Sequence, residues 1–407
     1  MRPFRTLFVV TLALFAAGPA LAQRASCHRG ASFEQWLDAF KREAVSQGVS
    51  ALTIAAASHL MVYDQTVVNK DRGQKVFSQT FLDFSDRMVA RHRIDGGIQR
   101  IAKNRALFTR VEQQFGVPGP VIAAFWALET DFGGFMGNLP TIKSVASLAY
   151  DCRRPDLFRT QLLSTLKIIE RGDLSADQMI GPFAGELGQF QFLSAHYYDY
   201  GLDYDGDGRR DLIGSAPDAV ASAANYLSKI GWKRGEPWLE EVRVPANLPW
   251  EQADLAIQHP RSQWAKWGVT KAGGGQIAAD AQPSSLLLPM GRHGPAFLAY
   301  PNFKAFMGWN SAFVYSTTAA YFATRLAGAP QVGRGNAEVV PPTAQQIADL
   351  QRALLARGYE TGEVDGKLGA MTRKAVKQAQ IKLGMPADAY PDPELTEKLR
   401  LQTTGNR

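Results

Sequence analysis

The chain is 407 residues long, 45% hydrophobic and 20% charged, with a formal charge of +7. That length accommodates two or three domains of roughly 100–200 residues, and the composition excludes a largely disordered chain. The basic excess comes without a Lys/Arg cluster interleaved with aromatics, which argues against a nucleic-acid partner.

Residues 1–22 read as a leader rather than as part of the fold. Arg2 and Arg5 give a positive start, residues 7–17 are apolar except for Thr11, and Ala20, Leu21 and Ala22 precede a cleavage point at Gln23. This is the layout of a secretory signal peptide. The apolar run is shorter than the ~20 residues that a bilayer requires; a buried N-terminal helix is the alternative. The expectation is an exported, soluble, periplasmic protein with no transmembrane anchor and a charge of +5 once Arg2 and Arg5 are removed. Cys27 and Cys152 are the two cysteines. In an oxidising compartment such a pair can form a disulfide; two free buried thiols are the other reading.

Helical spacing begins at Phe33, Trp36, Phe40 and Ala44, recurs at Phe81, Phe84 and Met88, and continues to about Tyr226. Between about 240 and 305 the texture changes. Val242 to Val244 run into Pro245, Leu286 to Leu288 into Pro289, and Ala296 to Leu298 toward Pro301. Short apolar runs bounded by Pro and Gly predict a small β-subdomain or an elaborated loop region. Helical pattern returns over 310–327 with Phe313, Thr317, Ala320 and Tyr321. A Gly/Pro-punctuated linker, 328–342, separates residues 23–327 from a compact unit at 343–402. In that unit Leu350, Leu354 and Leu355 fall on one helix face, and Ala375, Val376 and Ala379 mark a second helix.

The strongest chemical signal is Glu129. Pro120 sits where a helix can start, residues 121–128 are apolar on every face, and Glu129 is the first ionisable group after them. The pair Gly133 and Gly134 is predicted to end the helix. Burial and the negative end of the helix dipole would both raise the pKa of this carboxyl. A carboxylic acid kept protonated near neutrality is what protonating a glycosidic oxygen requires. From this segment alone, a glutamate that caps or pairs inside a helical core reads equally well. Downstream, Gly181, Gly185 and Gly188 surround Phe183, Gln189, Phe190, Gln191 and Phe192. Glycines allow close backbone approach, and amides beside aromatic faces suit a sugar, or else a tight packing element.

Taken in order, Glu129, Thr130, Asp131, Phe132 and Gly133, then Cys152, Arg153 and Arg154, then residues 185–191 and Trp309, Asn310, Ser311 and Tyr315 resemble the lytic murein transglycosylases of the B type. The similarity covers roughly residues 30–327. It implies a mainly α, lysozyme-like catalytic domain with a small β-containing insertion. It also implies a single catalytic acid/base, at Glu129, cleaving the bond between N-acetylmuramic acid and N-acetylglucosamine in peptidoglycan glycan strands. The acid then deprotonates the sugar's own 6-hydroxyl, which closes a 1,6-anhydro ring without water. Substrate-binding positions implied by the resemblance are Arg153, Arg154, Gln189, Gln191, Phe192, Tyr226, Trp309, Asn310 and Tyr315. The family often carries Ser near 182 and Tyr near 309, where this chain has Pro182 and Trp309. No cofactor is required for such chemistry. A lysozyme-like muramidase and a non-catalytic peptidoglycan-binding protein are the alternatives; a second acidic residue near the cleft would favour hydrolysis.

Asp203, Asp205, Asp207, Gly208 and Asp211 repeat carboxylates at the spacing of an EF-hand calcium loop, with the carbonyl of Arg209 between them. Gly214 occupies the twelfth position, where a bidentate Glu is expected, and Asp218 is the nearest substitute. The expectation is a structural Ca²⁺ site, with a solvated acidic turn as the alternative. Finally, Leu350, Gln351, Leu354, Gly358, Tyr359, Asp365, Gly366, Gly369 and Thr372 resemble the peptidoglycan-binding domain type 1. This implies a small three-helix wall-binding domain after the catalytic one, with Asp365 and Gly366 shaping a turn and Thr372 capping a helix. A generic three-helix bundle without ligand is the alternative. Such a module would raise the local substrate concentration, and other wall-remodelling proteins are further candidate partners.

Overall fold

The computed structural model describes residues 28, 30–73 and 79–404; the leader-like residues 1–22 and Cys27 lie outside them. The chain opens with helices α1 (Phe33–Ser46), α2 (Ala51–Ala57), α3 (Gln65–Arg72), α4 (Phe81–Met88), α5 (Arg91–Lys103) and α6 (Arg105–Phe115). Ser32, Ser50, Asp64 and Thr80 accept hydrogen bonds from backbone N–H groups at the starts of α1 to α4. Each such cap contributes about 1 kcal/mol. Helices α5 and α6 pack on α7 (Gly119–Thr130), of which every residue is buried except Pro120 and Glu129. An all-round apolar helix has no solvent face to offer, so it becomes the axis of the core.

The helix ends earlier, and differently, than the glycine pair suggests. Asp131 (φ 52°) and Phe132 (φ 62°) both adopt the left-handed conformation before Gly133 (φ 87°). Such a conformation costs a non-glycine residue about 1 kcal/mol or more. Side-chain contacts offset it: Asp131 pairs with Arg93 at 3.3 Å, and the Phe132 ring lies under Arg100 at 4.2 Å.

Two short strands follow, β1 (Leu139–Pro140) before α8 (Thr141–Tyr150) and β2 (Ile180–Gly181) after α9 (Pro155–Glu170), paired antiparallel. Helices α10 (Ser194–Tyr200) and α11 (Ala216–Lys229) complete the first helical layer. The change of texture after residue 240 becomes an antiparallel sheet of β3 (Leu239–Arg243), β4 (His259–Pro260), β5 (Thr270–Lys271), β6 (Pro283–Leu287) and β7 (Ala296–Ala299), in the order β4-β6-β7-β3-β5. A short helix α12 (Arg261–Lys266) buries Trp264 in this subdomain's own core. Helices α13 (Phe303–Trp309) and α14 (Phe313–Leu326) then return to the main body, and α14 lies along α7.

The C-terminal unit consists of α15 (Ala344–Leu355), α16 (Ala370–Lys382) and α17 (Pro393–Thr404) around Leu350, Leu354, Val376 and Leu395. Leu355 departs from the expected face and is exposed. Thr372 does not cap α16, because it lies inside the helix. Its hydroxyl donates to the Thr361 carbonyl and accepts from the buried amide of Gln351, whose oxygen takes the Asp365 and Gly366 N–H groups. The turn motif is thus folded around one glutamine. The unit is docked rather than hanging from its linker. Arg373 reaches the Pro289 carbonyl at 2.7 Å and stacks over Phe313, Lys377 pairs with Asp254 at 2.8 Å, and Arg292 bridges Asp388 and Asp392.

Candidate active site

Glu129 occupies the last turn of α7, the one ionisable residue of that buried helix and only partly exposed. Its Oε1 accepts a hydrogen bond from Trp309 Nε1 at 2.9 Å and another from the Tyr315 hydroxyl. These donors come from the end of α13 and the first turn of α14, so the packing of α14 along α7 sets their geometry. Burial pushes the carboxyl up to about 7; the Tyr315 and Trp309 hydrogen bonds pull the other way, and the nearby Glu186 charge adds to the rise. Both donors converge on Oε1, which leaves Oε2 to carry the proton. The arrangement is a buried carboxyl whose pKa is raised toward neutrality, with one oxygen engaged by two donors.

Trp309 is the hub of an aromatic wall. It stacks on Phe125 with centroids 4.3 Å apart and meets Phe192 and Tyr226, each at 5.4 Å. Phe192 and Tyr226 are buried. Their place is behind Trp309, holding the indole, and not on a free stacking face. Gln189 also departs from its expected substrate contact. It is 7% exposed, its Nε2 donates to the Ile213 carbonyl at 3.0 Å, and its own carbonyl takes the Thr130 hydroxyl. Gln191 does lie partly exposed, in a left-handed conformation (φ 49°), with Nε2 donating to the Gly188 carbonyl at 2.9 Å. Asn310 is likewise partly exposed and caps the Ala312 N–H through Oδ1. Arg153 and Arg154 both bind the buried Asp71 of α3, at 2.9 and 2.6 Å, and remain 40% exposed.

Three features were not read from the sequence. Trp309 and Tyr315 hold the acid itself, Asp71 anchors the arginine pair, and Glu186 adds a second carboxyl. Glu186 was visible as the acid inside the glycine-rich motif; nothing in the sequence marks Asp71. Asp131, the acid next to Glu129 in sequence, is engaged with Arg93.

The acidic loop brings together carboxylates of Asp203, Asp205 and Asp218, all within 4.8 Å of one another. Asp207 and Asp211 stand outside that group, contrary to the expected ligand set. Asp207 pairs with the Arg209 side chain, and Asp211 Oδ1 accepts the Ile213 and Gly214 N–H groups. Asp218 sits at the start of α11, reached through the turn that Asp211 caps. Burial raises its pKa, against three backbone N–H donors, and the Asp205 charge adds to the rise. A cluster of hard oxygen donors under mutual repulsion fits a Ca²⁺ ion.

The family described as the transglycosylase SLT domain matches residues 32–324, and the peptidoglycan binding domain family matches residues 343–399. The crystal structure of SltB3 from Pseudomonas aeruginosa in complex with NAG-anhNAM-pentapeptide is 40% identical, covering 91% of this chain and 100% of that one, with a TM-score of 0.84. The membrane-bound lytic murein transglycosylase B of Escherichia coli (strain K12) is 27% identical over 240 residues, 58% of this chain; the chain spans 64% of that relative's length. The structure of Escherichia coli lytic transglycosylase Slt35 in complex with calcium is 25% identical, over 65% of this chain and 83% of that one, with a TM-score of 0.56.

Proposed function

The chain belongs to the SLT-domain transglycosylase family, and from that premise we propose that it is a peptidoglycan lytic transglycosylase that leaves 1,6-anhydromuramic acid ends, with Glu129 as its acid/base. The observation that carries this reading is the buried carboxyl of Glu129, raised to about 7, with Trp309 and Tyr315 on one oxygen. Oε2 gives its proton to the bridging oxygen between the muramic acid and glucosamine units. The sugar's acetamido group stabilises the positive charge that develops at the anomeric carbon. Glu129, now a carboxylate, takes the proton of the 6-hydroxyl as that oxygen closes the anhydro ring. The proton count balances without water. The SltB3 complex with an anhydro-muropeptide supports the same product for this chain.

In this reading Gln191, Asn310, Arg153 and Arg154 meet the strand, while Gln189, Phe192 and Tyr226 shape the wall from behind and Trp309 and Tyr315 do so through Glu129. The calcium in Slt35 supports a structural Ca²⁺ held by Asp203, Asp205 and Asp218. The leader-like N-terminus supports a periplasmic location. No helix among the described residues is long and apolar enough to cross a membrane. A Cys27–Cys152 bridge would suit that compartment, and Cys152 is not free. Other wall-remodelling proteins remain candidate partners.

Glu186 gives the hydrolase reading its one specific support, since a second carboxyl near the acid could activate water. Digestion of purified sacculi followed by mass spectrometry separates the two. Anhydro-terminated fragments are expected; reducing ends formed with uptake of water would make the protein a muramidase, and no release would make it a binding protein.

A further inference from the structure

The first turn of α14 has two sides, and the acid uses one of them. From that side Tyr315 donates its hydroxyl to Glu129. Phe313, two residues earlier, is about 200° around the helix axis from Tyr315, so the two side chains leave the turn in opposite directions. The Phe313 ring is covered by the guanidinium of Arg373, 4.9 Å from the ring centroid. Arg373 belongs to α16 of the C-terminal unit and is fixed from other directions as well. Its Nη2 donates to the Pro289 carbonyl at 2.7 Å, its Nη1 to the Leu288 carbonyl at 3.5 Å, and the Tyr390 ring lies 5.8 Å away. That interface has no slack: a Cβ on Gly291 would come within 2.7 Å of Tyr390 Cβ.

The turn needs such support. Its N-cap residue, Ala312, has no side chain that can accept from the first N–H groups of the helix. Asn310 Oδ1 takes the Ala312 N–H at 2.9 Å, and the Ser316 hydroxyl donates to the Phe306 carbonyl at 3.2 Å. Both bonds stay within the α13–α14 segment, whereas Arg373 reaches it from another domain. On the reading of Glu129 as the acid/base, we propose that Arg373 is a positioning residue for it: by clamping Phe313, the docked C-terminal unit fixes the turn that holds the Tyr315 hydroxyl on Glu129. The C-terminal unit is then part of the catalytic frame. A wall-binding module on a loose tether would change only the local substrate concentration, and so KM; a module that braces α14 also sets kcat.

A double-mutant cycle in kcat and KM on soluble peptidoglycan strands tests this. Arg373→Met, which keeps the length of the side chain and removes the charge, is expected to lower kcat about three- to tenfold, no more than Tyr315→Phe does by itself. In the Tyr315→Phe background the same change is expected to have little further effect, because the bond it serves is already gone. Arg373→Lys, which keeps a cation over the ring, is expected to restore part of kcat. Lys377 sits one turn along the same face of α16 and pairs with Asp254 at 2.8 Å, away from α14; Lys377→Met should loosen the docking and leave kcat near the wild-type value. Equal losses from Arg373→Met in both backgrounds, a rise in KM with kcat unmoved, or an equal loss of kcat in Lys377→Met would each overturn the proposal. Product analysis keeps the two proposals apart. Reducing ends with a coupled cycle defeat the transglycosylase reading alone, and anhydro ends with an additive cycle defeat this one alone.

Discussion

Replacing Glu129 by Gln should make the protein more stable, and only at high enough pH. The carboxyl is raised by burial from its usual 4.5 to about 7. The folded protein therefore keeps a proton that the unfolded chain releases between those values. The sign follows from linkage: the enclosed acid is no burden below about pH 4.5, and it weakens the fold progressively as pH rises through 7. At about 1.4 kcal/mol per unit, the full shift corresponds to about 3 kcal/mol at pH 8. That is an upper figure, because Glu129 keeps some exposure to solvent. The amide oxygen of Gln can still accept from Trp309 and Tyr315, so the variant loses the ionisation and keeps the packing. Urea unfolding at pH 8 and at pH 4.5 is the assay. A gain of about 2–3 kcal/mol at pH 8 that nearly vanishes at pH 4.5 is expected. An equal effect at both pH values, or a loss at pH 8, would refute the burial of this carboxyl as its controlling feature.

Other perturbations test the surrounding parts. Tyr315→Phe removes a donor that lowers the Glu129 pKa, so the basic limb of kcat/KM should move to higher pH while the rate falls about tenfold or more, as expected for a hydrogen bond to a charged group. If the loop binds Ca²⁺, added calcium should raise the thermal midpoint by mass action and a chelator should lower it; Asp218→Asn should abolish that response, read by differential scanning calorimetry. Arg373→Ala opens the contact with Pro289 and Phe313. It should cost about 1.5–3 kcal/mol and split one unfolding transition into two, because a charged hydrogen bond is among the contacts that hold the C-terminal unit in place.

Much of this architecture is legible in the sequence because it rests on local rules. Residues 121–128 have no polar face, so α7 had to be central, and Glu129 had to stand where that helix surfaces. The Pro- and Gly-bounded runs after residue 240 give strands because each is too short for a helix and bounded by turn residues. The departures arise where tertiary contacts override local ones. The end of α7 is set by Arg93 and Arg100, which stabilise left-handed Asp131 and Phe132, and not by the glycines that follow. Trp309 and Tyr315 meet Glu129 across some 180 residues of chain, so their service to the acid is invisible until α14 packs on α7. The calcium loop spacing points to Asp203 and Asp205, whose carboxylates lie together with that of Asp218. The third carboxylate of the cluster comes from Asp218, because the chain turns back at Asp211 before the twelfth position is reached. The docking of the C-terminal unit depends on Arg373, Lys377 and Arg292, each of which reads in sequence as an ordinary surface cation.

The central claim is that Glu129 alone passes one proton out and takes one proton back, leaving no place for water in the reaction. Digesting sacculi in water enriched in ¹⁸O and weighing the released muropeptides tests it directly. The account predicts anhydro ends that carry no ¹⁸O, and their loss in Glu129→Gln. Reducing ends labelled with ¹⁸O, or anhydro products from the Glu129→Gln variant at the wild-type rate, would contradict it.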